Sequence, residues 1–157
     1  MVILITIRRA GKADANLLSG MVVRLLSELD GAEVEAEPCL QACIEMFDQH
    51  PDTFAGFLAF DAHQQCVGAI TVSESFSIYA GGRMGIIQEL YVLPEYRSNH
   101  IGSKLIREVE NLARTRGWRR LEVGAPNPAK WERTVSFYKR EGFVEIGPRL
   151  KKILNEE

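Results

Sequence analysis

Tyr91-Val92-Leu93-Pro94-Glu95-Tyr96-Arg97-Ser98-Asn99-His100-Ile101-Gly102-Ser103 is the stretch whose reading decides the fold. The apolar run from Ile86 to Leu93 reads as a strand halted by Pro94. A short polar turn follows, and a helix opens near Gly102. At the start of a helix several backbone N–H groups lack a carbonyl partner and the macrodipole leaves partial positive charge, so a diphosphate can satisfy those donors. Gly102 lets the backbone approach a ligand closely, and Arg97 can add a charge-assisted hydrogen bond. Taken alone, the same residues also describe an ordinary strand-to-helix connection. Two other phosphate fingerprints are excluded. Gly102-Ser103-Lys104 lacks the Gly-Lys-Ser/Thr of a P-loop, and no Gly-x-Gly-x-x-Gly follows a strand.

Downstream, the helix from Gly102 to about Arg116 carries Leu105, Ile106, Val109, Leu112 and Ala113 on one side and charges on the other. Gly117 stops it, and Arg114 and Arg116 complement the negative end of its dipole. A strand from Arg119 to Gly124 completes a βαβ unit, which makes it a parallel neighbour of the strand before the turn. Two such strands leave a cleft where they splay. Beyond Pro126-Asn127-Pro128 a helix is expected from about Trp131 to Arg140. Closing strands are expected over Phe143–Ile146 and Leu150–Leu154.

Upstream, Val2–Arg8 is rich in β-branched residues and predicts a first strand. Asp14 is placed to cap a helix in which Leu17, Leu18, Met21, Val22, Leu25, Leu26 and Leu29 recur at helical spacing, ending at Gly31. A second helix is expected from Pro38 to Gln49. Phe54–Phe60 and Cys66–Ile78 read as antiparallel strands joined by Asp61-Ala62-His63-Gln64-Gln65. After Gly81-Gly82 comes the fourth strand, Met84–Leu93.

A chain of 157 residues with 46% hydrophobic and 25% charged content reads as one soluble globular domain over residues 1–157. Its net charge of -2 gives no overall attraction to nucleic acid. The apolar start, Met1 to Thr6, breaks at Arg8-Arg9 without a charged leader, so a strand is expected there and not a signal peptide. No apolar run is long enough to span a bilayer. Cys39, Cys43 and Cys66 form no Cys-x-x-Cys pair, and the three histidines are scattered, so no metal site is expected. Reduced thiols and a cytoplasmic location are the expectation.

The opening stretch resembles motif A of the GNAT (Gcn5-related N-acetyltransferase) family, Arg/Gln-x-x-Gly-x-Gly/Ala, through Arg97 and Gly102, with His100 where the first glycine is usual. A side chain there either needs a negative φ or accepts strain. Val135-Ser136-Phe137-Tyr138-Lys139-Arg140-Glu141-Gly142-Phe143 resembles the end of motif B. The element order also resembles that of the family along the chain. The resemblance implies an α/β fold of the α+β type: one mixed, mostly antiparallel sheet of six to seven strands, about four flanking helices, and a splayed parallel pair forming a coenzyme A cleft.

The same resemblance implies acetyl transfer from acetyl-CoA to a primary amine in one ternary complex, with no metal. Backbone amides at Leu90, Tyr91 and Val92 would hold the acetyl carbonyl and pantetheine. Amides from Arg97 through Ser98, Asn99, His100, Ile101 and Gly102 to Ser103 would hold the diphosphate. Glu89 is the candidate base, with an exposed or salt-bridged strand glutamate as the competing reading, and Gln88 points to the other face unless a bulge reorients both. Tyr138 matches the family's thiolate-protonating tyrosine; a tyrosine that only packs is the alternative. Trp131 stands where many relatives carry a pantetheine-contacting asparagine, and Asn127 is the substitute considered.

For the acceptor, Ile87-Gln88-Glu89-Leu90-Tyr91-Val92 resembles the corresponding run of diamine-acetyltransferase-like members. The resemblance places Glu33, Glu35 and Glu37 beside the acceptor cleft, where acidic walls would concentrate a polyamine or aminoglycoside. A peptide N-terminus or lysine, a different acyl group, and a coenzyme A-binding regulatory module without turnover are the competing readings. Pairing of two copies through sheet edges or C-terminal strands is a further implication.

Overall fold

The computed structural model describes residues 3–31, 33–126 and 131–155. Contacts divide the chain into two compact units, residues 1–123 and 124–157.

In the first unit, β1 (Thr6–Arg9) leads through a short turn of 3₁₀ helix into α1 (Ala15–Asp30) and then α2 (Ala36–Gln49). Three long strands follow: β2 (Phe54–Phe60), β3 (Cys66–Ser77) and β4 (Gly82–Val92). The 3₁₀ turn Pro94–Tyr96 precedes α3 (Ile101–Arg116), and β5 (Leu121–Val123) closes the unit. The sheet runs β1-β2-β3-β4-β5, antiparallel except for the β4–β5 pair, which is parallel as the βαβ reading requires.

Two glycines show that the helices cover opposite faces. A Cβ on Gly56 would meet Leu18 of α1, whereas one on Gly68 would meet Ile101 and Leu105 of α3. Gly68 lies across from Ala59, an odd number of residues from Gly56 on β2, so the two positions face opposite ways. The core between the layers holds Leu18, Leu58, Val67, Ile70, Val72, Ile87, Leu105, Ile106 and Val109, all essentially inaccessible. Each contributes roughly 1.5–3 kcal/mol by leaving water.

Asp14 stands at the N-cap position, just before α1, but its side chain makes no capping hydrogen bond to the helix. Its carboxylate instead accepts two hydrogen bonds from the Arg8 guanidinium, at 2.9 Å each, and one from the Gly11 N–H at 2.9 Å. A bidentate charged pair outcompetes a neutral amide for the same oxygens. It also holds the Asp14 carboxyl down at about 2, the Arg8 hydrogen bonds being the main cause. Gly31 and Gly117 end α1 and α3 in left-handed conformation, as their positions in the sequence predict.

The second unit contains α4 (Glu132–Arg140) and extended coil. Tyr138 stacks edge-on against Phe143, centroids 5.8 Å apart, and Lys139 pairs with Glu145 at 3.1 Å. The two closing strands expected at 143–146 and 150–154 are not formed, so the sheet has five strands among the described residues and not six to seven. Val144, Ile146, Leu150, Ile153 and Leu154 are exposed. An alternating apolar pattern becomes a strand only where a neighbour takes its peptide groups, and no described strand does so. Among the described residues no helix is long and apolar enough to cross a membrane, and no cluster of His, Cys, Asp and Glu is arranged to hold a metal ion.

Gly85 lets β4 approach its neighbour. Its N–H donates to the Arg120 carbonyl at 3.0 Å, and a Cβ there would collide with the ring of buried Trp118 and with Leu121. Gly85→Ala is therefore expected to lose about 1–3 kcal/mol in urea unfolding, through overpacking at the parallel pair. At the start of α3, His100 has φ 63 and ψ 18. Replacing it with glycine removes left-handed strain of about 1 kcal/mol, so His100→Gly is expected to raise Tm by about 2–4 °C in a thermal melt.

Candidate active site

Strand β4 carries the site because it changes partners along its length. Its parallel ladder with β5 covers only Gly85, Ile86 and Ile87. Among the described residues no strand pairs with that edge further on. Toward β3 the ladder continues, and the Leu93 N–H donates to the Val67 carbonyl at 2.9 Å. In an antiparallel ladder successive residues point their peptide groups to alternate sides, so Leu90 and Val92 direct theirs to the edge that β5 has left. The Val92 carbonyl does face that way, accepting a hydrogen bond from Arg97 Nε at 2.9 Å.

A register shift falls between Thr71 and Val72: Thr71 lies opposite Glu89, and Val72 opposite Ile87. Gln88 is thus the extra residue of a bulge, and it is exposed. The bulge takes the Glu89 N–H off the backbone ladder and gives it to the Thr71 hydroxyl at 3.1 Å, while that hydroxyl donates to the Glu89 carboxylate. Burial pushes the Glu89 carboxyl up from its ordinary value, and the Thr71 hydrogen bond partly opposes this. Burial drives the Cys43 thiol of α2 to about 11, with a further push from the negative charge of Glu89. Glu89 is therefore a half-buried carboxylate hydrogen-bonded by Thr71.

Below it, Tyr91 is buried and donates through its hydroxyl to Glu28 of α1 at 3.3 Å. Arg97 folds back over the Tyr91 ring, 5.3 Å from its centroid, and pairs with the same Glu28 oxygen at 2.9 Å. Ser98 and His100 both have positive φ, 69 and 63, so the strain that the sequence left open at His100 is accepted, and twice. Between them Asn99 donates from its amide to the carbonyls of Tyr96 at 3.0 Å and Arg97 at 3.2 Å. The helical ladder of α3 begins with the Lys104 N–H on the His100 carbonyl at 3.1 Å, so the amides of Ile101 and Gly102 precede it.

The first unit thus brings together Glu89, Leu90, Tyr91, Val92 and the run Arg97, Ser98, Asn99, His100, Ile101, Gly102 and Ser103. Tyr138 belongs to the second unit, where it is buried and its hydroxyl is pushed up to about 12 by burial. Asn127 lies outside the described residues. Thr71, Glu28, Asp61 and Cys43 escaped the sequence reading as parts of this region. The contacts of Thr71, Glu28 and Asp61 with β4 and the loop after it span long separations, 18 residues for Thr71, 69 for Glu28 with Arg97 and 35 for Asp61 with Tyr96, and no local pattern marks them.

An open strand edge followed directly by a helix N-terminus fits an extended ligand carrying amides at one end and a pyrophosphate at the other. Acetyl-CoA is such a ligand. An aminoalkylphosphonate N-acetyltransferase from Salmonella typhimurium is 34% identical to this chain over 90 residues, and the match covers 57% of the chain and 57% of that protein. A predicted acetyltransferase from Clostridium acetobutylicum, solved with acetyl-CoA, superposes with a TM-score of 0.78 at 18% identity, covering 96% of each chain. An aminoglycoside N-acetyltransferase, AAC(6')-Iy, solved in complex with CoA, gives a TM-score of 0.73 at 17% identity, covering 100% of this chain and 97% of that one. The model of the acetyltransferase (GNAT) family matches residues 23–143, which takes in β4, the strained loop, α3 and α4, and the chain belongs to that family of acetyl-CoA-dependent enzymes.

Proposed function

We propose that this chain transfers the acetyl group of acetyl-CoA to the primary amine of a small molecule, by direct attack in one ternary complex with Glu89 as the base. The observation that carries the proposal is the Glu89 carboxylate, held by Thr71 at a bulge and partly desolvated, one residue before the open peptide edge of β4. Bound acetyl-CoA supplies an acyl group activated as a thioester. Peptide groups of Leu90 and Val92 would hold its pantetheine end, those of Tyr91 facing β3, and the amides that follow Arg97, whose own N–H is bonded to the Pro94 carbonyl, would hold its pyrophosphate.

An alkyl amine with a pKa near 10.4 is protonated at neutral pH, and exposing its lone pair costs roughly 4–5 kcal/mol at ~1.36 kcal/mol per unit. A carboxylate whose affinity for protons is raised by burial accepts that proton more readily than a solvated one. Tyr138, kept protonated by burial, is the group proposed to return a proton to the departing thiolate.

The acceptor proposed first is a small cationic amine of polyamine or aminoglycoside type. Exposed Glu33, Glu35 and Glu37, in and after the α1–α2 connection, support it through long-range attraction. A second acceptor class has its own support. A groove of about 390 Å³ between α1 and α2 is lined by Asn16, Ser19, Arg24 and Glu37, so both signs of charge border it, as an aminoalkylphosphonate would require. The proposal takes residues 1–157 as one cytoplasmic domain. The exposed apolar residues of the C-terminal segment support pairing of two copies.

Thiol release from acetyl-CoA, followed across polyamines, aminoglycosides and aminoalkylphosphonates, tests the activity and ranks the acceptors. Glu89→Gln should lower kcat/KM by roughly 10²–10⁴-fold at neutral pH; full retention of rate would remove Glu89 from the role. The same variant should be no less stable than the parent in urea. With a folded pKa above the unfolded one, the ionised carboxylate opposes folding at neutral pH, and that penalty shrinks as pH falls through the folded value and is gone below the unfolded one. Thr71→Val deletes the hydroxyl that favours the charged form, so the acidic limb of the kcat/KM profile should move to higher pH. An unmoved limb argues for a base elsewhere.

A further inference from the structure

We propose that Asp61 and Tyr96 are positioning residues for the loop that receives the pyrophosphate of acetyl-CoA, and that they set affinity for the donor without touching it. The inference rests on the reading of residues 97 to 103 as the pyrophosphate cradle.

The argument begins with strain. Two non-glycine residues out of three, Ser98 and His100, sit in the left-handed region, each at a cost of order 1 kcal/mol or more. A loop in that state relaxes unless its surroundings over-determine it, and relaxation would turn the first amides of α3 away from a common point. The restraints found here converge on Tyr96. Its carbonyl accepts the Asn99 amide at 3.0 Å, which ties the strained segment to it. Its N–H donates to the Leu93 carbonyl at 2.9 Å, which ties it to the end of β4. Its hydroxyl donates to Asp61 Oδ2 at 2.7 Å, across 35 residues of sequence.

Asp61 is itself held at several points. It is buried, and its other oxygen accepts the N–H groups of His63 and Gln65 at 2.9 Å each. Its own N–H donates to the Gln65 carbonyl at 3.0 Å, closing the β2–β3 turn. The carboxylate is thereby part of the most buried hairpin of the sheet. Through one phenolic hydrogen bond that rigidity passes to the far side of the 3₁₀ turn, where the strained loop begins. Loss of the bond leaves the hairpin and α3 intact and frees the loop between them.

The test compares two donors, acetyl-CoA and S-acetylpantetheine, which carries the same thioester and amides without pyrophosphate. The parent should have a KM well below that for S-acetylpantetheine when given acetyl-CoA. Tyr96→Phe should raise the KM for acetyl-CoA by about five- to tenfold, the scale of one ordinary intramolecular hydrogen bond, with kcat unchanged and the KM for S-acetylpantetheine unmoved. Asp61→Asn keeps acceptors for His63 and Gln65 and can offer its amide to the tyrosine oxygen, so it should recover most of the parental KM. An equal rise against both donors in either variant, or no rise with Tyr96→Phe where the parent discriminates between them, overturns the positioning role and leaves the cradle standing. A parent that does not discriminate removes the cradle, and the positioning role with it.

Discussion

Strand β4 must satisfy its peptide groups on two sides, and on one of them the partner runs out after Ile87. Everything that distinguishes this molecule from a plain α+β sandwich follows from that shortfall. A buried peptide group without a partner costs free energy on the scale of a lost hydrogen bond. The chain meets the shortfall within itself only in part, through Arg97 on the Val92 carbonyl. The remaining edge offers unpaired strand geometry of the kind that an extended, amide-bearing ligand can complete.

The bulge at Gln88 stands just ahead of that edge and does two things together. It redirects the Glu89 N–H to a side-chain oxygen, and it sets the Glu89 carboxyl opposite Thr71 on the face covered by α1 and α2. A regular ladder would have used that N–H on the β3 backbone. The carboxylate therefore owes its environment to a backbone irregularity, with burial raising its proton affinity and one hydroxyl tempering the rise. On the same face, Glu28 serves both Tyr91 and Arg97, so α1 contributes to the arm of the loop as well as to the core.

Much of this was legible in the sequence wherever the determinant is local. Helical periodicity gives α1, α2 and α3 to within two residues, and the βαβ pattern gives the parallel pairing of β4 with β5. Gly31 and Gly117 end their helices where expected because a left-handed cap is a property of one residue. The misses have a common cause in non-local competition. Asp14 has the chemistry of a cap, but Arg8 is the stronger partner once β1 is in place. Phe143–Ile146 and Leu150–Leu154 have the composition of strands, but strand formation is decided by a neighbour. The bulge, Thr71 and the Asp61–Tyr96 bond depend on register between distant segments, which no window of sequence displays. His100 was legible as an anomaly, and the structure decides it in favour of strain.

The exposed edge of β4 is built from main-chain atoms, and every residue except proline supplies the same pair. Substitution at Leu90 or Val92 alters packing and leaves the donor and acceptor in place. A contact made through the backbone is largely silent to drift in side chains, and two structures of this architecture agree with the chain at only 18% and 17% of positions. What selection can reach is the geometry of that edge: where the neighbouring strand stops, where the bulge falls, and how firmly the turn beyond it is pinned.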